Sequence, residues 1–192
     1  MVGQLSVEQI GEIFKSSQAS SNYGIGADGR VGLYVPEEYR SWCSSSKEND
    51  ARAITIECAS DAHHPYAFND KVYAALIDLC VDICKRYGKR KLIWIEDKAT
   101  ALNYEGNEML LTVHRWFAKK ACPGDWMYAR MGDLAAKVTA QLVDGVQSLY
   151  RVRKSWDDPS SQIGAFRSLE NARMMVKDNP GYSIYDEKGR RL

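Results

Sequence analysis

The 192-residue sequence lacks several features that would place a protein in a class at first sight. No apolar run approaches the roughly 20 residues that a membrane-spanning helix needs, so no membrane span is predicted. The 26 Lys and Arg residues are balanced by 25 Asp and Glu residues, and this absence of a basic excess argues against a nucleic-acid-binding protein. The five cysteines are odd in number and include no CxxC pair, which argues against a disulfide framework and against a zinc ribbon.

The start of the sequence has no basic stretch followed by an apolar block, and the segment before Phe14 carries Glu8 and Glu12. No signal peptide is therefore predicted, and we expect the protein to be cytoplasmic at synthesis. A length of 192 residues with 45% hydrophobic residues is typical of a globular domain with or without a small attached module.

Alternating helices and strands fill the sequence up to Leu142. Apolar stripes with capping residues predict helices, and β-branched or alternating runs predict strands. The predicted helices are Ser6–Lys15, Asp70–Tyr87 and Met131–Leu142, the predicted strands are Tyr23–Gly26, Arg30–Val35, Ala53–Ala59 and Lys91–Ile95, and Ser44–Asp50 is predicted as a loop. This alternation predicts an α/β fold with a central sheet flanked by helices.

The pattern changes after residue 142. Residues 143–148 contain Asp144-Gly145 and are predicted as a linker, and residues 149–192 are predicted as a small α+β module. Its predicted elements are a strand at Leu149–Arg153, a helix at Ser168–Lys177 and a strand at Tyr182–Tyr185. The module holds nine basic and six acidic residues, and its small size predicts marginal stability on its own.

The segment Val113–Gly124, VHRWFAKKACPG, carries the candidate chemistry. His114 and Cys122 offer an imidazole nitrogen and a thiolate sulfur, which are donors that zinc favours. Lys120 is suitably placed to stabilise negative charge that develops on a metal-bound oxygen. On spacing alone, a partly buried histidine and an inert core cysteine remain the alternative.

Glu57 lies in an otherwise apolar predicted strand, which is costly for a carboxylate unless it is paired or used. It is a candidate base that accepts a proton from a zinc-activated water, and the alternative is an edge strand with Glu57 facing solvent. Trp42 and Trp116 flank these motifs. Their rings suit stacking on sugars, although packing in a core is the commoner role of aromatic residues.

In this order, NYGIGADGR (Asn22–Arg30), NDARAITIE (Asn49–Glu57), the long predicted helix and VHRWFAKKACPG resemble zinc-dependent N-acetylmuramoyl-L-alanine amidases. The resemblance is greatest to those in endolysins of phages that infect Gram-positive bacteria and to related autolysins, and it covers nearly all of residues 4–142. It implies a fold related to peptidoglycan recognition proteins, in which a mixed sheet flanked by helices carries zinc in a groove.

The resemblance implies roles for individual residues. His114 and Cys122 correspond to zinc ligands, Lys120 to an oxyanion-side lysine and Glu57 to the catalytic base, while Asn22, Trp42 and Trp116 are predicted substrate contacts. The implied reaction is hydrolysis of the amide between N-acetylmuramic acid and L-alanine in bacterial peptidoglycan.

The resemblance also implies a further zinc ligand, a histidine on an opening strand, yet no histidine precedes His63. We therefore expect that ligand and its strand to lie upstream of residue 1. The alternative function is an inactive peptidoglycan-binding protein or an accessory subunit that lacks this ligand.

Residues 149–189 resemble the C-terminal module of clostridial-type endolysins and sporulation-related (SPOR) domains, which bind glycan strands. The likeness rests on YRVRKSW, SQIGAFRSLENA and NPGYSIYDEKG. It implies a cell-wall-binding role that begins once the protein is released from the cell. A packing appendage, or a dimerisation element that would make the protein a homo-oligomer, remains the alternative.

Overall fold

The computed structural model describes residues 1–144, 149–166 and 168–192 of the chain. Two compact units are present, Met1–Val143 and Asp144–Leu192. The predicted linker, residues 143–148, falls mostly on residues 145–148, which lie outside the described residues. Among the helices of the described ranges, none combines the length and the apolar composition that crossing a membrane requires.

The first unit alternates helices and short strands. Its helices are α1 (Val7–Ser16), α2 (Lys47–Asp50), α3 (Asp70–Arg86), α4 (Lys98–Leu102), α5 (Asp125–Tyr128) and α6 (Met131–Asp144). Its strands are β1 (Tyr23–Ile25), β2 (Val31–Leu33), β3 (Ile56–Cys58), β4 (Leu92–Ile93) and β5 (Met109–Leu110), and a 3₁₀ turn covers His114–Trp116.

The strands of the first unit are mixed in direction, as predicted. β1 pairs antiparallel with β2 and parallel with β3, while β4 pairs parallel with β5. The sequence predicted one central sheet, whereas the described part of this unit contains two small hydrogen-bonded sheets. The prediction of β3 as a central strand is wrong, because β3 is the edge strand of its sheet. On the side away from β1, the Val2 amide donates to the Cys58 carbonyl, and just after β3 the Ser60 amide donates to the Gly3 carbonyl.

Local capping explains where the helices begin. Ser6 and Gln9 form a capping box at α1, and the Asn69 side chain accepts a hydrogen bond from the Val72 amide at α3, so both predicted starts are confirmed. The prediction of a loop over Ser44–Asp50 is wrong in its second half, because the Ser46 side chain accepts from the Asn49 amide and starts α2.

The core of the first unit lies behind the candidate residues. α3 contributes an apolar face that includes Val72, Leu76 and Cys84, and α6 contributes Leu134 and Val138 to the same cluster. These buried helices provide a fixed base for β3 and for the segment that carries His114.

The second unit has its own small core. Its elements are β6 (Tyr150–Arg153), β7 (Gly164–Phe166), α7 (Leu169–Asp178) and β8 (Ser183–Tyr185), with a 3₁₀ turn at Pro159–Ser161. The strands form an antiparallel sheet in the order β7-β6-β8. Val152, Ala172 and Ile184 are the buried centre of this unit.

Glu37 links the first sheet to the end of α3. Its carboxylate accepts two hydrogen bonds of 2.7 Å from the Arg86 guanidinium, one of 2.7 Å from Tyr23 Oη and one of 2.9 Å from Tyr87 Oη. These contacts, with the Arg86 bonds as the largest cause, lower the pKa of Glu37 from its usual 4.5 to about 2 although its burial opposes the shift.

We expect Glu37→Gln to lower the free energy of unfolding at pH 7 by about 2 kcal/mol, because the charge that Arg86 binds is lost. Since the pKa of Glu37 is lowered by folding, this stabilisation is complete above pH 4.5 and disappears as the pH falls towards 2. Urea unfolding of both proteins between pH 2 and 7 measures the difference. Glu38→Gln is the matched control, and a difference that is independent of pH would contradict the assignment.

Candidate functional site

Glu57 is positioned by the start of the first sheet. Gly24 of β1 is directly opposite Glu57 of β3. Ahead of this pair, the Asn22 side chain accepts hydrogen bonds from the Thr55 amide at 2.9 Å and from Thr55 Oγ1 at 3.1 Å. The register of β3 is therefore fixed both by its backbone pairing with β1 and by the buried hydrogen bonds between Asn22 and Thr55. The result is a carboxylate whose side chain is only 16% exposed, on an edge strand that nevertheless turns it inward.

The segment after β5 brings His114 and Cys122 together. Buried Val113 anchors the start of the segment, and the Arg115 amide donates to the Cys122 carbonyl at 3.0 Å, which closes the loop. Gly124 has φ +88° and approaches Tyr66 so closely that a Cβ on it would lie 2.8 Å from the Tyr66 Cβ. A side chain other than hydrogen is therefore disfavoured at this position by both backbone conformation and space.

The His114 ring is held by a contact from the α2 region. Ser45 Oγ lies 3.0 Å from His114 Nε2, and Nδ1 has no hydrogen bond within the described residues. Ser45 has φ +65°, an unusual conformation for a residue with a Cβ. The neighbouring amides of Cys43 and Ser44 donate to the buried Asp50 carboxylate at 3.1 and 3.0 Å, which fixes the loop that carries Ser45.

The environment of His114 favours the neutral form of its imidazole. Burial is the largest cause of its lowered pKa, and the positive charges of Lys120 and of the Met1 amino group act in the same direction, against Asp50. A neutral imidazole with a free Nδ1 is the form that can donate a lone pair to a metal ion.

The candidate residues share one cavity of about 190 Å³. Glu57, His114 and Cys122 all line it, together with Met1 and apolar core residues. The Met1 amino group lies 3.6 Å from Cys122 Sγ and forms an ion pair with Glu57 Oε1, a buried oxygen with no other hydrogen-bond partner in the described chain. Cys122 Sγ and Glu57 Oε1 therefore lie close to the same point of the cavity, marked by the Met1 nitrogen.

A family comparison decides what kind of protein carries this site. A family model described as N-acetylmuramoyl-L-alanine amidase matches residues 4–125. The chain belongs to the N-acetylmuramoyl-L-alanine amidase family. No curated protein and no solved structure matches the chain.

Membership of the amidase family gives the site its chemical context. Amidases of this family are hydrolases that act on peptidoglycan and generally depend on zinc. Glu57, His114, Lys120 and Cys122 all lie within the matched residues. The second unit lies beyond them.

A groove next to the amidase cavity contains two more of the predicted residues. Trp42 is 59% exposed, and its ring lies 4.7 Å from the Arg40 guanidinium carbon. Lys120 is exposed and lines the same groove, and His114 lines both the groove and the cavity. Both Trp42 and Lys120 are therefore placed beside His114 on the solvent side.

The other two predicted substrate contacts have partners within the protein. Asn22 is 1% exposed, and its amide nitrogen donates to the carbonyls of Val35, Pro36 and Tyr39. Trp116 stacks on Trp94 with ring centroids 4.9 Å apart. Asn22 therefore positions β3, and Trp116 packs against the core. A substrate contact by either residue stays a prediction.

Sequence reasoning missed Ser45 and Asp50 as part of the site. Ser45 is separated from His114 by 69 residues, and no spacing rule connects them. Asp50 belongs to the motif NDARAITIE, and this position was the signal that could have pointed to it. The motif does not reveal that its carboxylate accepts hydrogen bonds from the Cys43 and Ser44 amides.

Proposed function

We propose that this amidase is zinc-dependent and cleaves the amide between the lactyl group of N-acetylmuramic acid and L-alanine, as an endolysin or autolysin does. The observation that carries the proposal is the convergence of His114, Cys122 and Glu57 on one cavity within the residues matched by the amidase family.

His114 Nδ1 and Cys122 Sγ are the donors that would hold the zinc. They fit zinc in type, and a catalytic zinc takes three protein ligands. Among the described residues no group of three His, Cys, Asp or Glu side chains is arranged to bind a metal, so His114 and Cys122 account for two of the three protein ligands that the proposal requires. Zinc, when bound, lowers the pKa of a water and polarises a carbonyl.

The chain's own side chains would then move the protons and stabilise charge. Glu57 Oε1 accepts a proton from the attacking water while the water oxygen bonds to the amide carbon. Negative charge develops on the former carbonyl oxygen, and the Lys120 ammonium at the groove side stabilises it. Glu57 returns the proton to the alanine nitrogen as the carbon–nitrogen bond breaks, which leaves a carboxylic acid and a free amine.

For the second unit we propose cell-wall binding of the SPOR type. Arg153 lies 4.9 Å from the half-buried Trp156 ring, so one part of this unit combines an aromatic ring with positive charge. Such a combination suits stacking on sugars in an anionic wall. Under this proposal the protein reaches the wall after release from the cytoplasm, and peptidoglycan is its partner.

One experiment tests the proposed function. Purified protein is assayed for bound zinc, for loss of turbidity of purified cell walls, and for new alanine amino termini. We expect about one zinc per chain, falling turbidity and release of alanine amino termini. Wall binding with neither zinc nor new amino termini would contradict the proposal, and gel filtration of the same sample tests a homo-oligomer.

The Ser45 contact gives a prediction about zinc affinity. We expect Ser45→Ala to weaken zinc binding by about tenfold, because a partner that orients a ligating histidine is lost. Competition with a chromogenic chelator measures it. Ser45→Gly removes the same hydroxyl and also relieves the positive φ, so both variants should lose zinc affinity while the glycine variant should be the more stable of the two. Unchanged affinity in both would contradict the role of Ser45.

A further inference from the structure

The groove beside the cavity is rich in positive charge. It has a volume of about 390 Å³ and is lined by His114, Lys120, Trp42, Arg40 and Lys47, among others. All of these residues belong to the first unit. The groove is therefore the surface next to His114 on which a substrate would lie.

The positive charges of this groove have no carboxylate partners. Within residues 1–144, 149–166 and 168–192, the ion pairs include none to Arg40, Lys47 or Lys120. Elsewhere in the same unit, Arg86 and Arg115 each bind a carboxylate. The groove beside His114 thus presents three basic side chains that no carboxylate of the described residues binds.

The acidic residue of the groove lining forms no ion pair with these basic side chains in the described residues. Asp50 is 3% exposed, and both of its carboxylate oxygens accept hydrogen bonds from the amides of Cys43 and Ser44. The Arg40 guanidinium packs over the exposed Trp42 ring, which limits its freedom and leaves it without a carboxylate partner in the described residues. An anionic group entering the groove would consequently find basic side chains without carboxylate partners, and the Trp42 ring restricts Arg40 among them.

The stem peptide of peptidoglycan supplies such a group close to the cleaved bond. The residue after L-alanine is a glutamate joined through its side chain, and its α-carboxyl group is left free in some walls and amidated in others. This group is one residue from the scissile amide, or roughly 7 Å along the chain. Lys120 is already assigned to the carbonyl oxygen, which leaves Arg40 and Lys47 for this carboxylate.

We infer that Arg40 and Lys47 form a carboxylate subsite that selects stem peptides with a free α-carboxylate next to L-alanine over amidated ones. The inference rests on the proposed function, since it assigns the neighbouring stem residue to the groove beside His114. A charge-assisted hydrogen bond is lost with the amidated peptide, and the unpaired cation remains.

The test compares two soluble muropeptides that differ only in this carboxylate or amide. We expect kcat/KM to be about tenfold higher for the carboxylate form, and the preference to shrink with added salt. Lys47→Gln and Arg40→Gln should each reduce hydrolysis of the carboxylate form alone, and Lys47→Arg should retain the preference. Lys85→Gln removes one exposed positive charge away from the groove and is the matched control.

The outcomes separate the subsite from the proposed function. Equal hydrolysis of both muropeptides by the wild-type protein would overturn the subsite and leave the amidase activity standing. Hydrolysis of neither would instead overturn the proposed function. In that case calorimetric binding of the two muropeptides decides the subsite, since tighter binding of the carboxylate form must be lost in Lys47→Gln, and equal binding overturns the inference.

Discussion

His114→Ala should abolish cell-wall hydrolysis and lower zinc affinity by about 100-fold or more, which is the largest effect we expect. The variant removes one of the two proposed zinc donors that line the cavity, and an alanine side chain has no atom that can bind the metal. Zinc content by atomic emission and turbidity loss on purified walls measure the two effects on the same preparation.

The His114 prediction has a matched control and a companion variant. His63→Ala removes an exposed imidazole elsewhere and should retain both zinc and hydrolysis. Cys122→Ser should match His114→Ala in both readouts, because the second donor is lost. Full lysis by His114→Ala, with a thermal melting curve like that of the wild type, would refute the site.

Glu57→Gln should lower kcat by about 10²–10⁴-fold while zinc content stays unchanged. The amide is nearly the same size as the carboxylate but cannot accept the proton from water, whereas His114 and Cys122 keep their donor atoms. Steady-state hydrolysis of a soluble muropeptide gives kcat, and metal analysis of the same sample gives the zinc content.

The combination of readouts separates a proton-transfer role from a metal-holding one. Loss of zinc together with activity would make Glu57 a ligand rather than a base, and an unchanged kcat would exclude both roles. Glu38→Gln, which alters an exposed carboxylate, controls for the change in overall charge.

Much of the first unit could be predicted from local signals. The capping box at Ser6, the Asn69 cap and the apolar stripe of α3 each act within a few residues, so the sequence contains the whole interaction. The mixed strand directions also agree with expectation. The short α2 escaped prediction because its stability depends on Asp50 binding amides of the preceding loop.

The division into two small sheets could not be predicted, because strand length depends on which backbone groups find a partner. Only Ile56–Cys58 of the apolar run Ala53–Ala59 pair in the ladder with β1. Apolar runs report burial, and both paired and unpaired segments of this run are buried or half-buried.

The candidate site was predictable in its residue types but not in its geometry. His114, Cys122 and Glu57 stood out because imidazole, thiol and a carboxylate in an apolar strand are unusual in their contexts. Their shared cavity depends on a long-range arrangement of β3 and the segment after β5. The contact between Ser45 and His114 depends on the positive φ of Ser45, which a serine in a sequence does not predict.

The tight approach at Gly124 has a consequence for protein engineering. Trp126 donates its amide to the Pro65 carbonyl at 3.1 Å, and His64 Nε2 lies 2.8 Å from Asp125 Oδ2, so the chain around Pro65 and the chain after Cys122 form an interlocked pair. Chimeras that exchange the Cys122 segment between relatives would have to transplant the His64–Tyr66 segment with it. In recombination libraries the two segments therefore behave as one inherited block, although more than fifty residues separate them in the sequence.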